Sequence, residues 1–392
     1  MKISTGDKTF DLDDLDAAAI LNSLPDGVYI TDTDRRILFW NREAERMTGW
    51  NASDVIGHRC HENILCHVDK DGHLLCGREH CPLHRAMLTG TQSDLPSLIF
   101  AKRRDGQRIP VEVTVSPIRD NGGEVIGGIE VFRDLSPAFQ DLNRARIIQR
   151  ELVGVHIMPD PRIRIEVGYT PHDQVGGDFY RIEQLDENTY AILLADVVGH
   201  GVSAALYTMQ LRALWEDGRA MLKRPREFLA WLSHRVEILK DTDAGYFATG
   251  LFAVYRADTG ELTCGTAGHP PPLLVRRNGH MVAVESSGPG LGLLPDPIYE
   301  PATIVMEPGD RLLIYSDGAL EIFNARGEEL GESGLRDLVS RTGADGGDSV
   351  TAVTRLEEAL LRYSENLALP DDLTLIHLVR VHGNDRSKSP RI

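Results

Sequence analysis

The sequence predicts an α+β protein: an N-terminal antiparallel sheet with flanking helices, a connecting helix, and a C-terminal α/β sandwich. Three observations lead there. Short strand patterns alternate with short helices over residues 16–135. A helical stripe of apolar residues follows. From residue 159 to 382, longer apolar strands recur between amphipathic helices.

The first domain opens, after a lead at residues 1–15, with "DGVYITDTDRRILFWN". Val28, Ile30 and Ile37, Phe39 flank a polar turn at Asp32 to Arg35, so the segment reads as a hairpin. "NREAERMTGW" reads as a short helix ending near Gly49. "PSLIFAKRRDGQRIPVEVTVSPIRD" and "GEVIGGIEVFRDLS" give three further β segments, with turns at Arg104 to Gln107 and around Asn121-Gly122-Gly123. Apolar residues then fall at 135, 139, 142, 145, 148, 152 and 155, which predicts a linker helix over 136–158. It either packs on its own domain or pairs with a second copy as a dimeric coiled coil.

In the second domain "IRIEVGYTP", "YAILLADVVGHG", "GLFAVYRA", "GELTCGTAGHPPPLLVRR", "DRLLIYSDGALE" and "LTLIHLVRVH" read as strands. "SAALYTMQLRALWEDGRAML", "PREFLAWLSHRVEILKD" and "SVTAVTRLEEALLRYSEN" read as helices. The tail at 383–392 is expected to be disordered.

A formal net charge of -17 argues against wholesale binding to nucleic acid or an anionic membrane, and fits a metal ion or a basic-faced partner. The N-terminus lacks an apolar signal core, and no run approaches ~18 apolar residues. A cytoplasmic protein is expected, where clustered thiols serve as metal ligands or redox groups more often than as disulfides.

The chemistry is expected at aspartates. Asp178 lies in "GGDFY", Asp196 in "LLADVVGHG", Asp317 in "LLIYSDGALE", and Asp371 and Asp372 in "LPDDLTLI". Asp196 and Asp317 each end an apolar strand run and Asp372 begins one. Carboxylates so placed point into a cleft, and several together bind hard divalent cations. Taken singly, each is an ordinary turn aspartate.

In order, "GGDFY", "ADVVGHGVSAAL", "GTAGHPPPLL", "GDRLLIYSDGALE" and "PDDLTLI" resemble the SpoIIE-type serine/threonine phosphatases of the metal-dependent PPM class, over about residues 145–380. The resemblance implies an αββα sandwich with two Mn²⁺ or Mg²⁺ ions between the sheets. Asp196 would bridge both ions. Asp178 and the Val197 carbonyl would complete one site, and Asp317 and Asp372 the other. Water would attack phosphoserine or phosphothreonine directly. Gly176 and Gly177 would let the backbone approach the metals, and Gly199 and Gly201 would make the turn into a helix from Ser203. His200 and His269 read better as hydrogen-bonding turn residues than as acid/base groups. Position 181 holds Arg where the family often has Asp, and it is expected to be solvated; position 198 holds Val in place of Ser. The GGDEF signature of diguanylate cyclases and a histidine-kinase phosphoacceptor helix ("LSHRVEIL") are set aside, since their remaining motifs are missing.

"LNSLPDGVYITDTDRRILFWNREAERMTGWNASDVIGHRC" and the strands "RRDGQRIPVEVTVSPIRD" and "GEVIGGIEVFRDLS" resemble a PAS domain over about residues 16–135. Together the two resemblances imply a bacterial signalling enzyme. It would dephosphorylate a protein, by family analogy an anti-anti-sigma protein of the STAS type in partner switching. The alternative is an inactive phosphatase fold that only docks a partner.

Residues 58–85 hold four of the five cysteines, Cys60, Cys66, Cys76 and Cys81, spaced C-x5-C-x9-C-x4-C, among His58, His61, His67, His73, His80 and His84. Four thiolates suffice for Zn²⁺ or an iron–sulfur cluster. A redox pair and four unlinked thiols stay open as readings. A flavin photosensor centred on Cys60 lacks the flavin-contacting residues, and haem on a histidine is a distant alternative. Cys264 is expected to be a core thiol.

Overall fold

The computed structural model describes residues 2–5, 8–11, 16–69, 72–76, 80–92, 97–199, 201–238, 247–342, 351–365 and 369–381. The expected tail at 383–392 and His200 lie outside them. The chain divides into two compact units, residues 1–141 and 142–392.

The first unit begins with a hairpin of β1 (Lys2–Thr5) and β2 (Lys8–Asp11) and the helix α1 (Ala17–Asn22). There follow β3 (Gly27–Asp32), β4 (Ile37–Trp40), α2 (Arg42–Thr48), α3 (Ala52–Val55), α4 (Pro82–Thr89), β5 (Ser97–Lys102), β6 (Arg108–Arg119) and β7 (Val125–Asp134). The last five strands form an antiparallel sheet in the order β4-β3-β7-β6-β5, so β7 is central. Asn41 caps α2 through Ala44 N–H at 2.8 Å, and the same oxygen accepts Val28 N–H at 2.9 Å. One side chain thus starts the helix and holds it to β3. Gly49 ends the helix in the left-handed conformation, φ 73°. Helix α4 packs on β6 and β7 within a core that includes Tyr29, Trp40, Val113 and Phe132.

Helix α5 (Ser136–Leu152) leads from one unit into the other. The stripe predicted helix to 158. The helix instead stops at Leu152, because Gly154 at φ 153° opens the short strand β8 (Gly154–His156). Val155 therefore belongs to a sheet.

The second unit continues with β9 (Ile163–Thr170), β10 (Asp178–Gln184), β11 (Thr189–Val197), α6 (Val202–Asp217), α7 (Pro225–Ile238), β12 (Ala248–Arg256) and β13 (Glu261–Ala267). It ends with β14 (Leu273–Val275), β15 (Met281–Ala283), β16 (Ala302–Val305), β17 (Arg311–Tyr315), α8 (Gly331–Thr342), α9 (Ala352–Tyr363) and β18 (Leu373–Arg380). One sheet runs β16-β13-β12-β11-β10-β8 and the other β15-β14-β17-β18-β9. Alternate residues of each strand fill different layers. Ala191, Leu193 and Ala195 of β11 pack with α6 and α7, while Tyr190, Ile192 and Leu194 pack with Ile314, Ile376 and Leu378 of the opposite sheet. Leu375 and Tyr315 face α8 and α9. The four layers are the expected αββα sandwich.

The helix-side core centres on Trp215, Phe228 and Phe252, with the two phenyl rings 4.4 Å apart. Truncating Phe228→Ala should cost about 3–5 kcal/mol. Urea unfolding would check this; a loss well under 1 kcal/mol would contradict the packing described.

Candidate functional site

The two-residue period of the strands aims carboxylates into the gap between the sheets. Asp196 continues the face of Tyr190, Ile192 and Leu194. Asp178, at the start of β10, lies directly opposite Asp196 in register. On the other sheet, Asp372 shares the parity of Ile376 and Leu378, and Asp317 follows β17. The carboxylates act on one another electrostatically: Asp196 on Asp178, and Asp317, Asp371 and Asp372 on Asp196.

A polar lattice crosses the gap. Asp372 Oδ1 accepts His172 N–H at 2.6 Å; its Oδ2 accepts Gly177 N–H at 2.5 Å and Asp178 N–H at 3.2 Å. The Ser316 hydroxyl donates to the Asp372 carbonyl at 3.1 Å and accepts Thr374 N–H at 2.9 Å. The Thr374 hydroxyl in turn donates to Asp178 Oδ2. Asp178 Oδ1 is buried and has no hydrogen-bond partner. Gly177 leaves the approach open: a Cβ there would lie 2.9 Å from the Val197 carbonyl oxygen. At Gly176 one would lie 2.6 Å from Asp372 Oδ2.

Burial, then Asp317 and Asp371, push Asp196 up to about 8. Burial and Asp196 raise Asp178 well above the carboxylate range. Burial and Asp371 raise Asp317. These groups need protons or a cation. All-oxygen donors and the orphaned Asp178 Oδ1 fit Mg²⁺ or Mn²⁺. Among the described residues, no three His, Cys, Asp or Glu side chains are already closed around one point.

Several expectations need correction. Asp372 was expected to face a metal beside Asp317, but its two oxygens are taken up by three backbone amides. Its neighbour Asp371 is the carboxylate that acts most strongly on Asp317. Arg181 was expected in solvent; it is 6% exposed and faces Glu183 at 3.7 Å and Glu216 at 3.8 Å. His269 joins the sheets, with Nδ1 2.8 Å from the Thr249 hydroxyl and Nε2 3.1 Å from the Tyr315 carbonyl. Burial lowers its pKa to about 4, so it is neutral at pH 7. Gly199 and Gly201 take φ of 94° and 80° at the turn into α6. Cys264 is fully buried, with burial pushing its thiol up to about 12.

Gln149 was missed. It is a buried polar residue on the otherwise amphipathic α5. Its side-chain amide donates to the Gly176 carbonyl at 2.7 Å and to Thr208 Oγ1 at 3.0 Å, and its oxygen accepts Gly176 N–H at 3.1 Å. An isolated glutamine in a helical pattern carries no sequence signal for this.

The four-cysteine set is also corrected. Cys60, Cys76 and Cys81 are buried in the first unit, whereas Cys66 is only partly buried, with Sγ turned to the His61 carbonyl at 3.6 Å. All four are free thiols.

A family model for Stage II sporulation protein E (SpoIIE) matches residues 186–381, and a model of the PAS fold matches 15–135. The first span begins just after Asp178. Phosphoserine phosphatase RsbP of Bacillus subtilis is 28% identical over 184 residues, 46% of this chain and 45% of that protein. The chain thus spans less than half of that relative. Phosphoserine phosphatase RsbU of the same organism is 27% identical over 241 residues, 61% of this chain and 70% of that one. Among solved structures, the RsbU and RsbW domains of Rv1364c from Mycobacterium tuberculosis align with a TM-score of 0.50 at 25% identity, covering 62% of this chain and 64% of that one. The SiaA-PP2C domain of Pseudomonas aeruginosa aligns at 0.55 and 19%, covering 62% and 96%, and shows the fold alone.

The raised carboxyls set a pH dependence. A folded-state pKa above the unfolded value favours the protonated fold, so the contribution is lost as pH rises from about 4 to about 8. The metal-free protein should melt at a lower temperature at pH 8 than at pH 5. Mn²⁺ should raise the melting temperature more at pH 8, and Asp196→Asn should flatten both trends. Equal Mn²⁺ shifts at the two pH values would contradict the site.

Proposed function

The chain belongs to the SpoIIE family, with a PAS fold ahead of the SpoIIE unit, and we propose that it hydrolyses phosphoserine or phosphothreonine on a protein under PAS control. The observation that carries this reading is the mutual electrostatic influence of Asp178, Asp196, Asp317 and Asp371, with Asp178 Oδ1 buried and without a hydrogen-bond partner among the described residues. Asp178, Asp196, Asp317, Asp371 and the Val197 carbonyl would hold the two ions. Asp372 positions the loop at Gly177 and Asp178. Bound Mn²⁺ or Mg²⁺ supplies Lewis acidity and lowers the pKa of attacking water.

The hydroxyls nearby do not suit a covalent route. Ser316 and Thr374 are fully buried and engaged in the lattice. His269, neutral and bonded at both nitrogens, holds the sheets rather than moving protons. Water as the nucleophile agrees with both facts.

Regulation through α5 follows from Gln149. The helix starts two residues after β7 of the PAS unit, and Gln149, near its far end, grips Gly176 beside the Gly177–Asp178 loop. A shift of the helix end would move that loop. The relatives RsbP and RsbU, both phosphoserine phosphatases, support phosphoserine as the group removed; a carrier of the anti-anti-sigma (STAS) type rests on the family resemblance. Ile147 and Ile148, 53% and 51% exposed on α5, support a homodimer through this helix. Among the described residues, no helix is long and apolar enough to cross a membrane, which accords with a cytoplasmic setting.

Hydrolysis of p-nitrophenyl phosphate with Mn²⁺ tests the activity. Turnover should require the metal and vanish in Asp196→Asn. Asp371→Asn should lower metal affinity more than Asp372→Asn, read as the Mn²⁺ concentration for half activity. Metal-independent turnover would overturn the enzyme reading; absence of turnover would favour a docking module. Gln149→Ala should lower kcat/KM about 10–100-fold at saturating Mn²⁺; unchanged kinetics would remove α5 from the mechanism.

A further inference from the structure

The PAS-fold unit buries polar groups that its own structure leaves unsatisfied. Glu130 lies on the central strand β7, opposite Tyr29 of β3 and Val115 of β6, and is fully buried. Among the described residues neither of its carboxylate oxygens has a well-formed hydrogen bond, although the Tyr29 hydroxyl lies close enough to act on it. His67, 2% exposed, leaves Nε2 without a partner 3.6 Å from Glu130 Oε1. Each such buried group is costly if nothing meets it. Two of them face each other at a separation too long for a hydrogen bond. It is close to the spacing of two ligand atoms that each lie about 2.0–2.1 Å from one Zn²⁺ ion.

Thiols lie in the same core and act on Glu130 of this pair electrostatically. Cys60 and Cys81 belong to the same buried cluster as Tyr29. Cys76, 5% exposed, accepts His67 N–H on its sulfur at 3.0 Å and interacts directly with the Cys81 thiol. Cys81 stands at the N-cap of α4, where helix amides favour a thiolate. Its thiol is held down at about 6 by Cys76 and the His84 amide, whereas burial raises Cys60 to about 12. Sulfur, imidazole and carboxylate donors in one buried place suit a borderline ion and do not suit Mg²⁺ or Ca²⁺.

We propose that the first unit binds one Zn²⁺-class ion between His67 Nε2 and Glu130, with two thiolates from among Cys60, Cys76 and Cys81 making four ligands and Cys66 excluded; among the described residues these donors are not already closed around one point, so the ion would draw them together. Binding releases the thiol protons to solvent and needs no redox partner. It would tie the cysteine-rich segment to β7, the strand that leads into α5.

The test uses the full chain, purified without chelators. Elemental analysis should find about one zinc per chain, and Co²⁺ exchanged for it should give sulfur-to-cobalt charge-transfer absorption in the near ultraviolet. His67→Ala, Glu130→Gln and Cys81→Ser should each weaken zinc retention about 10-fold or more, while Cys66→Ser, Cys264→Ser and Asp196→Asn should leave it unchanged. The unsubstituted chain gives its answer even if a variant fails to fold. Absence of both zinc and the cobalt band would overturn the proposal. So would iron with sulfide, equal loss in Cys66→Ser and Cys81→Ser, or full retention in both Glu130→Gln and His67→Ala.

Discussion

The Asp372 carboxylate is the tie on which the SpoIIE unit's site depends. It precedes the strand at Leu373–Arg380 of one sheet and takes the amides of Gly177 and Asp178, which open a strand of the other. Without it, the Gly176–Asp178 loop would lose its amide bonds to the opposite sheet and keep its bonds to Gln149 and Val197. Asp178 and Asp196 face each other across neighbouring strands, and like charges directly opposite are unfavourable in a sheet. The fold sustains the arrangement by closing it with Thr374, Ser316 and His172, so the repulsion is directed into a small region where a cation relieves it.

The same logic explains why neighbouring aspartates do different work. Asp372 has the parity of the inter-sheet face and is consumed by backbone donors. Asp371 lies one step earlier, half-buried, acting on Asp317 and Asp196. One carboxylate builds the frame; its neighbour accepts the Asp372 amide at 2.7 Å on Oδ1 and keeps its other oxygen for chemistry. In the PAS-fold unit the division runs otherwise: Glu130 is on the central strand with only Tyr29 and His67 near its carboxylate among the described residues.

Much of this architecture was legible in the sequence because burial follows period. The strands at Thr189–Val197, Arg311–Tyr315 and Leu373–Arg380 are apolar runs bounded by Asp or Gly, and the hairpin at Gly27–Trp40 announces itself by alternation. The helix at Gly331–Thr342 escaped notice, since its two internal glycines and many polar residues weaken the pattern. The strand at Asp178–Gln184 was hidden behind its motif. Asp371 and Asp372 could not be told apart by type or neighbourhood; only the amide donors distinguish them. Gln149 and Glu130 gave no signal either, because a lone polar residue in a regular element looks the same whether it faces water or an interior; His67 was one of six histidines beside the cysteines, with nothing to set it apart.

Gln149 also bears on how such a chain can be recombined. It sits thirteen residues beyond Ser136 on one uninterrupted helix, and each residue added or removed upstream turns it by about 100° about the helix axis. A different sensor grafted onto this helix must therefore preserve phase. Insertions of seven residues nearly restore the phase between Ser136 and Gln149, whereas those of two or five reverse it. If α5 carries the regulation, the length of this segment acts as a reading frame for any sensor joined to it.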